Sequence, residues 1–266
     1  MSLFGTQPRT LPDYSHPINR GLILWYPLWE MGGTKAYDLS TKRYTGTLSG
    51  SPAWSGSKAG YGILFDGTND YIDTGKDTEF NFATTTFSVA GYFRTNSVSG
   101  IYLFGKMGTT NVGGWGVGVG ISAASKFSVI VKNTGLSSNC MIRDSSSSVN
   151  DNVWHSFVVV ITTDAVTSGN NTATIYIDGK VDQSSVTLSG VSNGTATSNL
   201  FIGQRTSGNF FAGAAYGLRV YNRALTGLEA QQLHTNPDLG LYEEPFAYVA
   251  ATGGTATNRQ YSMVFG

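Results

Sequence analysis

Cysteine and charge are the two features that this chain of 266 residues has least of. Its one cysteine, Cys140, cannot form an intrachain disulfide, which predicts a reduced protein. Charged residues make up 13% of the sequence, about half the usual share, and the formal net charge is zero. A neutral chain has no electrostatic attraction for nucleic acid or for an anionic membrane, so we predict neither as a partner.

Long apolar runs and a targeting segment are also missing. No apolar run approaches the roughly 18 residues that a membrane-spanning helix needs. The N-terminal sequence lacks a basic segment followed by an apolar one, so it does not have the pattern of a secretory signal. We therefore expect a soluble protein that is made in the cytoplasm and that needs no signal if it is released by cell lysis.

The residue patterns of common catalytic sites are scarce as well. The five glutamates do not lie in a strand-like segment beside a second carboxylate, and glycosidases require a pair of carboxylates. The histidines at 16, 155 and 234 are far apart in the sequence, and no G-x-S-x-G turn or phosphate-binding loop is present. Sequence order alone leaves a Ser-His-Asp site open, but we expect no catalytic residue and no enzymatic activity.

Glycine, threonine, valine and aromatic residues are abundant instead. Short apolar segments recur about every ten residues, as at 86–95, 126–132 and 154–163, and turns rich in the 34 glycines separate them. A dozen or so short strands of this kind predict an all-β sandwich or barrel. One helix is expected after Thr226, because Thr226 and Glu229 have the spacing of a capping box before an apolar pattern.

The ends of the chain differ from its centre. Residues 1–20 contain three prolines and no apolar periodicity, and residues 238–266, which follow Pro237, are polar and aromatic. We predict an extended N-terminal arm at 1–20, one core domain at 21–237 and a C-terminal tail at 238–266.

The order of the strand-like motifs resembles a known family. The motifs are GLILWYPLWE, AYDLS, TGTLSG, GYGILFDGTNDYIDTG, FSVAGYFR, VWHSFVVVI, ATIYIDGK, LFIGQR and FAGAAYGLRVYNRALTGLEAQQLH. Over residues 20–236 they resemble laminin-G-like, concanavalin A-like jelly-roll domains. The resemblance implies two antiparallel sheets packed face to face, one short C-terminal helix, and binding of glycans or proteins more often than catalysis. The lead-in with His16, Pro17, Gly21 and Leu22 also resembles domains that are common in virion proteins of tailed phages.

The segment LFDGTNDYIDTG at 64–75 carries the most chemistry of these motifs. Asp66 and Asp70 flank a hairpin turn, where carboxylates can accept hydrogen bonds from the backbone N–H groups of the turn. The alternative is a structural Ca²⁺ held by Asp38, Asp66 and Asp70, because Ca²⁺ takes six to eight oxygen ligands and some relatives carry calcium. We expect no other cofactor.

Aromatic residues are the best sequence candidates for ligand contact. Trp29 precedes a turn that is expected to be exposed, and Trp29, Tyr102, Asn111 and Trp115 are candidates for a surface that stacks on sugar rings. The remaining tryptophans are expected in the core.

Two functions follow from the resemblance. The first is a virion structural protein of a bacteriophage, a capsid decoration or tail-associated subunit. It would contact other virion proteins through its terminal arms and assemble as a homo-oligomer. The alternative is a carbohydrate-binding adhesin module of a tail fibre or bacterial surface.

Overall fold

A computed structural model describes residues 11–56, 60–82, 85–98, 100–107, 113–121, 123–132, 140–162, 170–189, 196–205 and 208–242. Within these ranges the chain forms sixteen β-strands and one α-helix. The strands are β1 Leu22–Tyr26, β2 Lys35–Ala36, β3 Gly46–Ser49, β4 Ala53–Trp54, β5 Ile63–Asp66, β6 Tyr71–Asp73, β7 Phe87–Arg94, β8 Ile101–Met107, β9 Gly114–Val119, β10 Lys126–Lys132, β11 Cys140–Ser148, β12 His155–Thr162, β13 Asn170–Ile177, β14 Lys180–Ser189, β15 Phe201–Ile202 and β16 Ala212–Tyr221.

The strands form two antiparallel sheets. The first sheet has the order β14-β13-β12-β7-β16-β5-β4, and β1 pairs with β16 beside this path. The second sheet has the order β11-β10-β9-β8-β15-β6-β3-β2. Strands that are neighbours in a sheet are therefore often far apart in the chain, as expected of a jelly roll. This confirms the predicted all-β sandwich.

The main core lies between the two sheets. Alternate residues of β7, such as Phe87, Val89 and Phe93, face this core because successive side chains of a strand point to opposite faces. They meet side chains of the second sheet, and the Phe93 ring stacks on Phe127 with centroids 5.3 Å apart. The intervening residues of β7 are buried too, so the outer face of the first sheet must also be covered.

A second apolar cluster provides this cover over one half of that outer face. Helix α1, Gly227–Thr235, places Ala230 and Leu233 against sheet residues that include Trp25 and Val158. The helix begins as predicted, because the Thr226 hydroxyl accepts from the Glu229 N–H and the Glu229 carboxylate accepts from the Thr226 N–H. The buried Ile18, from a short 3-10 turn at Pro17–Asn19, completes the cover.

The two ends of the described chain lie side by side. Asp13 N–H donates to the Gly240 carbonyl at 2.8 Å, and Tyr242 N–H donates to the Leu11 carbonyl at 2.9 Å. We call residues 11–13 and 240–242 the paired terminal segments. The predicted domain boundaries stay predictions, but these parts of the arm and the tail pack on the sandwich. Residues 1–10 and 243–266 lie outside the described residues.

Candidate binding surface on the first sheet

The aspartates of the 64–75 segment hold their own turn. The Asp66 carboxylate accepts from the N–H groups of Thr68 at 2.7 Å and Asn69 at 3.2 Å, and the Asp70 carboxylate accepts from the Asp66 N–H at 2.9 Å. The Thr68 N–H lowers the pKa of Asp66, whereas burial raises the pKa of Asp70. Gly67 has a φ of +78°, which the turn requires and which favours glycine. These are the contacts that were predicted for a turn. The predicted hairpin is wrong, because β5 and β6 on either side of this turn pair with strands of different sheets.

Asp38 has a comparable structural role at a different place. Its two carboxylate oxygens accept hydrogen bonds from the backbone N–H groups of Trp25, Ser40 and Tyr44, each at 2.8 Å, and from the Ser40 hydroxyl at 2.7 Å. Within the described ranges, no group of three or more His, Cys, Asp or Glu side chains could hold a metal ion. Asp38 and the two turn aspartates are therefore not brought together as a ligand set there, and calcium binding stays a prediction.

The four residues proposed for sugar contact do not form one open surface. Trp115 is 2% exposed and its indole N–H donates to the Phe80 carbonyl at 3.0 Å, inside the core between the sheets. Tyr102 is 4% exposed and belongs to a separate apolar cluster. Asn111 lies outside the described residues. Trp29 is half-buried and does reach the surface.

Trp29 is one end of a line of four aromatic rings that we call the aromatic row. Its ring lies edge-on to Tyr61 with centroids 5.8 Å apart, Tyr61 lies 6.2 Å from Tyr216, and Tyr216 lies 5.0 Å from Trp154. All three contacts have the T-shaped geometry that aromatic quadrupoles favour. Tyr216 is fully buried and the other three are half-buried, so the row is a partly exposed apolar surface on a rigid base.

Strand register explains why the row forms. Tyr92 of β7 is paired with Tyr216 of β16, and their rings stack 4.6 Å apart on the outer face of the first sheet. Arg94 follows two residues after Tyr92 and so lies on the same face. Trp154 directly precedes β12, whose first residue is paired with Phe93. This pairing brings Trp154 beside Arg94, whose guanidinium carbon is 5.3 Å from the Trp154 ring centroid.

The two middle rings of the row, Tyr61 and Tyr216, carry hydroxyl groups. The Tyr61 hydroxyl donates to the Asp238 carboxylate, which attaches the C-terminal segment to the row. The Tyr216 hydroxyl is buried and has no hydrogen-bond partner among the described residues, and burial raises its pKa. A buried hydroxyl without a partner costs stability, so such groups are rare in folded proteins.

The covered half of the same outer face contains a similar pair of side chains. The Arg219 guanidinium lies 3.9 Å from the Trp25 ring centroid, in a buried position. It donates to the carbonyls of Pro237 at 2.8 Å and Leu239 at 2.9 Å. The protein's own C-terminal segment therefore occupies this Arg-Trp pair.

A group of histidines and aspartates fastens α1 at the edge of the covered half. His155 contacts the carboxylates of Asp178 at 2.8 Å and Asp151 at 3.1 Å, and these contacts, that of Asp178 first, raise the pKa of His155. Burial acts to raise the pKa of Asp178, but hydrogen bonds from His155 and the Ser156 N–H outweigh it and lower this pKa. The Val153 N–H and then His155 lower the pKa of Asp151.

The same group contains a serine, a histidine and an aspartate, which sequence order had left open as a catalytic set. The Ser156 hydroxyl lies 2.8 Å from Nδ1 of His234, and the nearest Asp178 oxygen lies 4.0 Å from that same nitrogen. A catalytic relay needs the carboxylate on the opposite ring nitrogen from the serine. Ser156 is also buried. The arrangement therefore joins α1 to β12 and does not have the geometry of a nucleophilic site.

The sequence places this fold in a family. Residues 66–231, more than half of the chain, match a laminin G-type family model described as the Concanavalin A-like lectin/glucanases superfamily. The chain belongs to this family. The match lies within the predicted core domain and confirms the family resemblance. It does not test the resemblance to domains of phage virion proteins.

Solved structures share the concanavalin A-like fold at low identity. The binding domain of Paraclostridial Mosquitocidal Protein 1 has a TM-score of 0.61 at 17% identity, over 82% of this chain and 52% of that chain. Domain 4 of AbnA, an extracellular GH43 arabinanase from Geobacillus stearothermophilus, was solved with arabinotriose and has a TM-score of 0.58 at 16% identity, over 80% of this chain and 98% of that domain. The binding domain of botulinum neurotoxin DC, in complex with SialylT, has a TM-score of 0.59 at 16% identity, over 84% of this chain and 53% of that chain.

The concanavalin A-like chain spans about half the length of the toxin binding domains that it resembles. No curated protein sequence is significantly similar to it. In the part of the chain that the structure describes, no helix has both the length and the apolar character that crossing a bilayer requires.

Sequence reasoning missed most of the aromatic row. Trp154 was expected in the core, and neither Tyr61 nor Arg94 was considered. The sequence carries one usable signal for this surface. Along the strand-like segment Arg94 alternates with the core-facing Phe93, so it is expected on the outer face together with Tyr92.

Proposed function

We propose that this domain is a non-enzymatic binding module that recognises a glycan through the aromatic row. The observation that carries the proposal is the row itself, with Trp29, Tyr61 and Trp154 half-buried along one sheet face. Aromatic rings on a rigid base offer flat apolar faces to sugar rings at a low cost in side-chain entropy. Tyr216 lies in β16, Trp154 directly precedes β12 and Tyr61 lies two residues before β5, so these three rings are anchored beside strands of the sheet.

The fold comparison supports a glycan as the ligand. Two proteins that share the fold were solved with saccharide ligands, arabinotriose in one and SialylT in the other. At 16% identity they support the proposal through shared architecture, and the residues of the row are this chain's own.

The absence of an enzymatic activity is part of the proposal. Glycosidases need an acid and a second carboxylate that flank an open groove. The Asp66 and Asp70 pair has the opposite pKa shifts that such chemistry uses, but Asp70 is 4% exposed and both carboxylates are bonded to their own turn. These contacts favour a structural role over bond cleavage.

A glycan microarray followed by titration calorimetry tests the proposal. We expect Trp154→Ala and Trp29→Ala each to weaken glycan binding about tenfold or more, because stacking area is lost. The matched control is Trp54→Ala, since Trp54 is also half-buried but lines a separate open cavity of about 250 Å³ with Gly33, Gly50 and Pro52. Loss of binding in Trp54→Ala with normal binding in the row variants would move the site to that cavity and contradict the proposal.

A second candidate function is a structural subunit of a phage virion, made in the host cytoplasm. The paired terminal segments favour it, because both ends of the described chain leave the sandwich at one place. Leu11 and Tyr242 are 67% and 55% exposed there. Apolar side chains grouped at a surface favour contact with another protein, here virion neighbours or further copies of this chain.

Truncation tests the virion role. A variant that lacks residues 1–10 and 243–266 should unfold in urea like the full chain, yet fail to form oligomers in light scattering or to enter particles in a producing host. A full-length Tyr242→Ser variant is the milder version of the same change. Normal assembly of both variants would contradict a role for the terminal segments.

A further inference from the structure

We propose that the aromatic row selects glycans that carry a carboxylate, and that Arg94 binds this carboxylate. The inference rests on the proposed glycan-binding function of the same surface and adds the chemical class of the ligand. The class is an acidic sugar, either a terminal sialic acid or a uronic acid.

The first observation is the state of Arg94. Its guanidinium stacks on Trp154, and the side chain is half-buried. Among the residues that the structure describes, no hydrogen bond or ion pair of this guanidinium is found, whereas the guanidinium groups at 43, 219 and 223 each donate to oxygen atoms of the protein. A guanidinium has five N–H donors in a planar fork, and stacking leaves these donors free at its edge.

The second observation is the occupied counterpart on the covered half. Arg219 lies over Trp25, at 3.9 Å compared with 5.3 Å for Arg94 over Trp154, and two backbone carbonyls accept hydrogen bonds from its Nη2. The same sheet face therefore shows one Arg-Trp pair with oxygen acceptors in place and one without them. A carboxylate fits the vacant donor edge of Arg94 best, because it accepts two parallel hydrogen bonds and neutralises the charge.

The surroundings fit the rest of an acidic sugar. Ala214 is paired with both Arg94 and Leu64, so these three residues lie side by side across β7, β16 and β5. Leu64 is 40% exposed and gives an apolar surface two strands away from the cation, beyond Ala214. Asp238, the carboxylate at the Tyr61 end of the row, is bonded to the Tyr61 hydroxyl. We therefore expect the acidic group at the Trp154 end and the neutral part of the glycan toward Trp29.

Matched pairs of sugars test the inference. The probes are sialyllactose against lactose, and a glucuronate-terminated disaccharide against its glucose-terminated counterpart, each titrated into the full chain. We expect the acidic member of at least one pair to bind roughly tenfold more tightly. The two pairs distinguish a sialic acid from a uronic acid as the source of the carboxylate.

Three variants sharpen the test. Arg94→Gln should remove the preference for the acidic member of each pair, and Arg94→Lys should keep a reduced preference, because lysine retains the charge but not the fork. Arg205→Gln is the matched control, since the Arg205 guanidinium also lies over an aromatic ring, Tyr102 at 6.0 Å, but outside the row. Urea unfolding of each variant checks that it is folded.

The outcomes separate the two proposals. Equal binding of acidic and neutral sugars would overturn the role of Arg94 and leave glycan recognition standing. An acidic preference that survives Arg94→Gln would place the carboxylate elsewhere and overturn the inference in the same way. Binding of neither member of either pair, together with a blank glycan array, would overturn both proposals.

Discussion

The outer face of the first sheet has a covered half and an open half, and each contains an arginine that lies over a tryptophan ring. In the covered half Arg219 stacks on Trp25 beneath the segment 237–239, and in the open half Arg94 stacks on Trp154 at the surface. The two halves differ in whether hydrogen-bond acceptors contact the N–H groups of the guanidinium. In the covered half two backbone carbonyls accept hydrogen bonds from the guanidinium, and in the open half no acceptor is found within the described ranges of the chain.

This comparison shows how one pairing of residues can serve stability or binding. Where the chain folds back over the pair, its hydrogen bonds stabilise the attachment of the C-terminal segment. Where no described segment of the chain covers the pair, the same donors remain available to a ligand. If substitutions in the two halves had the same effects on stability and binding, this distinction would be wrong.

The largest effect is expected for Arg219→Met. The change removes two charge-assisted hydrogen bonds at a residue that is 1% exposed and leaves the carbonyls of Pro237 and Leu239 short of a donor. We expect the free energy of unfolding to fall by about 3 kcal/mol in urea titrations. Arg94→Met should change it by no more than about 0.5 kcal/mol. Similar costs for the two variants would show that Arg94 is also a structural residue.

A smaller effect is expected from pH, through the histidine group at the edge of the covered half. The pKa of His155 is raised above 6.5, so its contribution to stability is complete below pH 6.5 and is lost as pH rises through the raised value. The pKa values of Asp151 and Asp178 are lowered below 3.8, so their contribution is complete above pH 3.8 and is lost as pH falls through the lowered values.

Thermal unfolding between pH 3 and pH 9 measures both limbs of this curve. His155→Gln should flatten the loss of thermal stability above pH 6.5. It should leave a smaller loss of stability at acidic pH, where the aspartates are protonated. Asp151→Asn, which removes the weaker of the two carboxylate partners, should move the upper decline toward lower pH. An unchanged upper decline in His155→Gln would assign it to other groups.

The helix cap gives the next effect. Thr226→Ala removes the hydroxyl that accepts the Glu229 N–H and should lower the free energy of unfolding by about 1 kcal/mol. Thr226→Ser keeps the hydroxyl and should stay close to the parent. Because α1 covers only one half of the sheet face, glycan binding at the open half should be the same in both variants.

The smallest effect is expected for metal removal. The carboxylates of Asp38, Asp66 and Asp70 are engaged by the protein's own N–H and O–H groups, so EDTA should leave the melting temperature unchanged. A drop of several degrees that added Ca²⁺ reverses would establish the calcium alternative and would show that these turns reorganise around an ion.

The sequence was informative where the physics is local. Thr226 and Glu229 predicted the start of α1, and the aspartates near Gly67 predicted a tight turn, because caps and turns depend on neighbours within a few residues. The hairpin expected at this turn was wrong, because which strands pair is decided by the whole fold and β5 and β6 lie in different sheets. The apolar segment at 86–95 likewise predicted a strand, and β7 occupies Phe87–Arg94.

The candidate surface was harder to predict because it is not local. Trp154 and Arg94 are sixty positions apart and meet only through the pairing of β12 with β7. Tyr102 was misplaced for a related reason. All of β8, Ile101–Met107, is buried, so its sequence has no alternation to show which side chains face outward.

The paired terminal segments have a topological consequence. Since Leu11 and Tyr242 are joined by a backbone hydrogen bond, the chain from 11 to 242 is close to a ring. A circular permutant with a short linker across this gap should therefore fold, and a larger protein could carry the sandwich as an insertion within a single surface loop. Asp238 lies only four residues before Tyr242 and touches the aromatic row, so in such a host the binding face would lie next to the point of attachment.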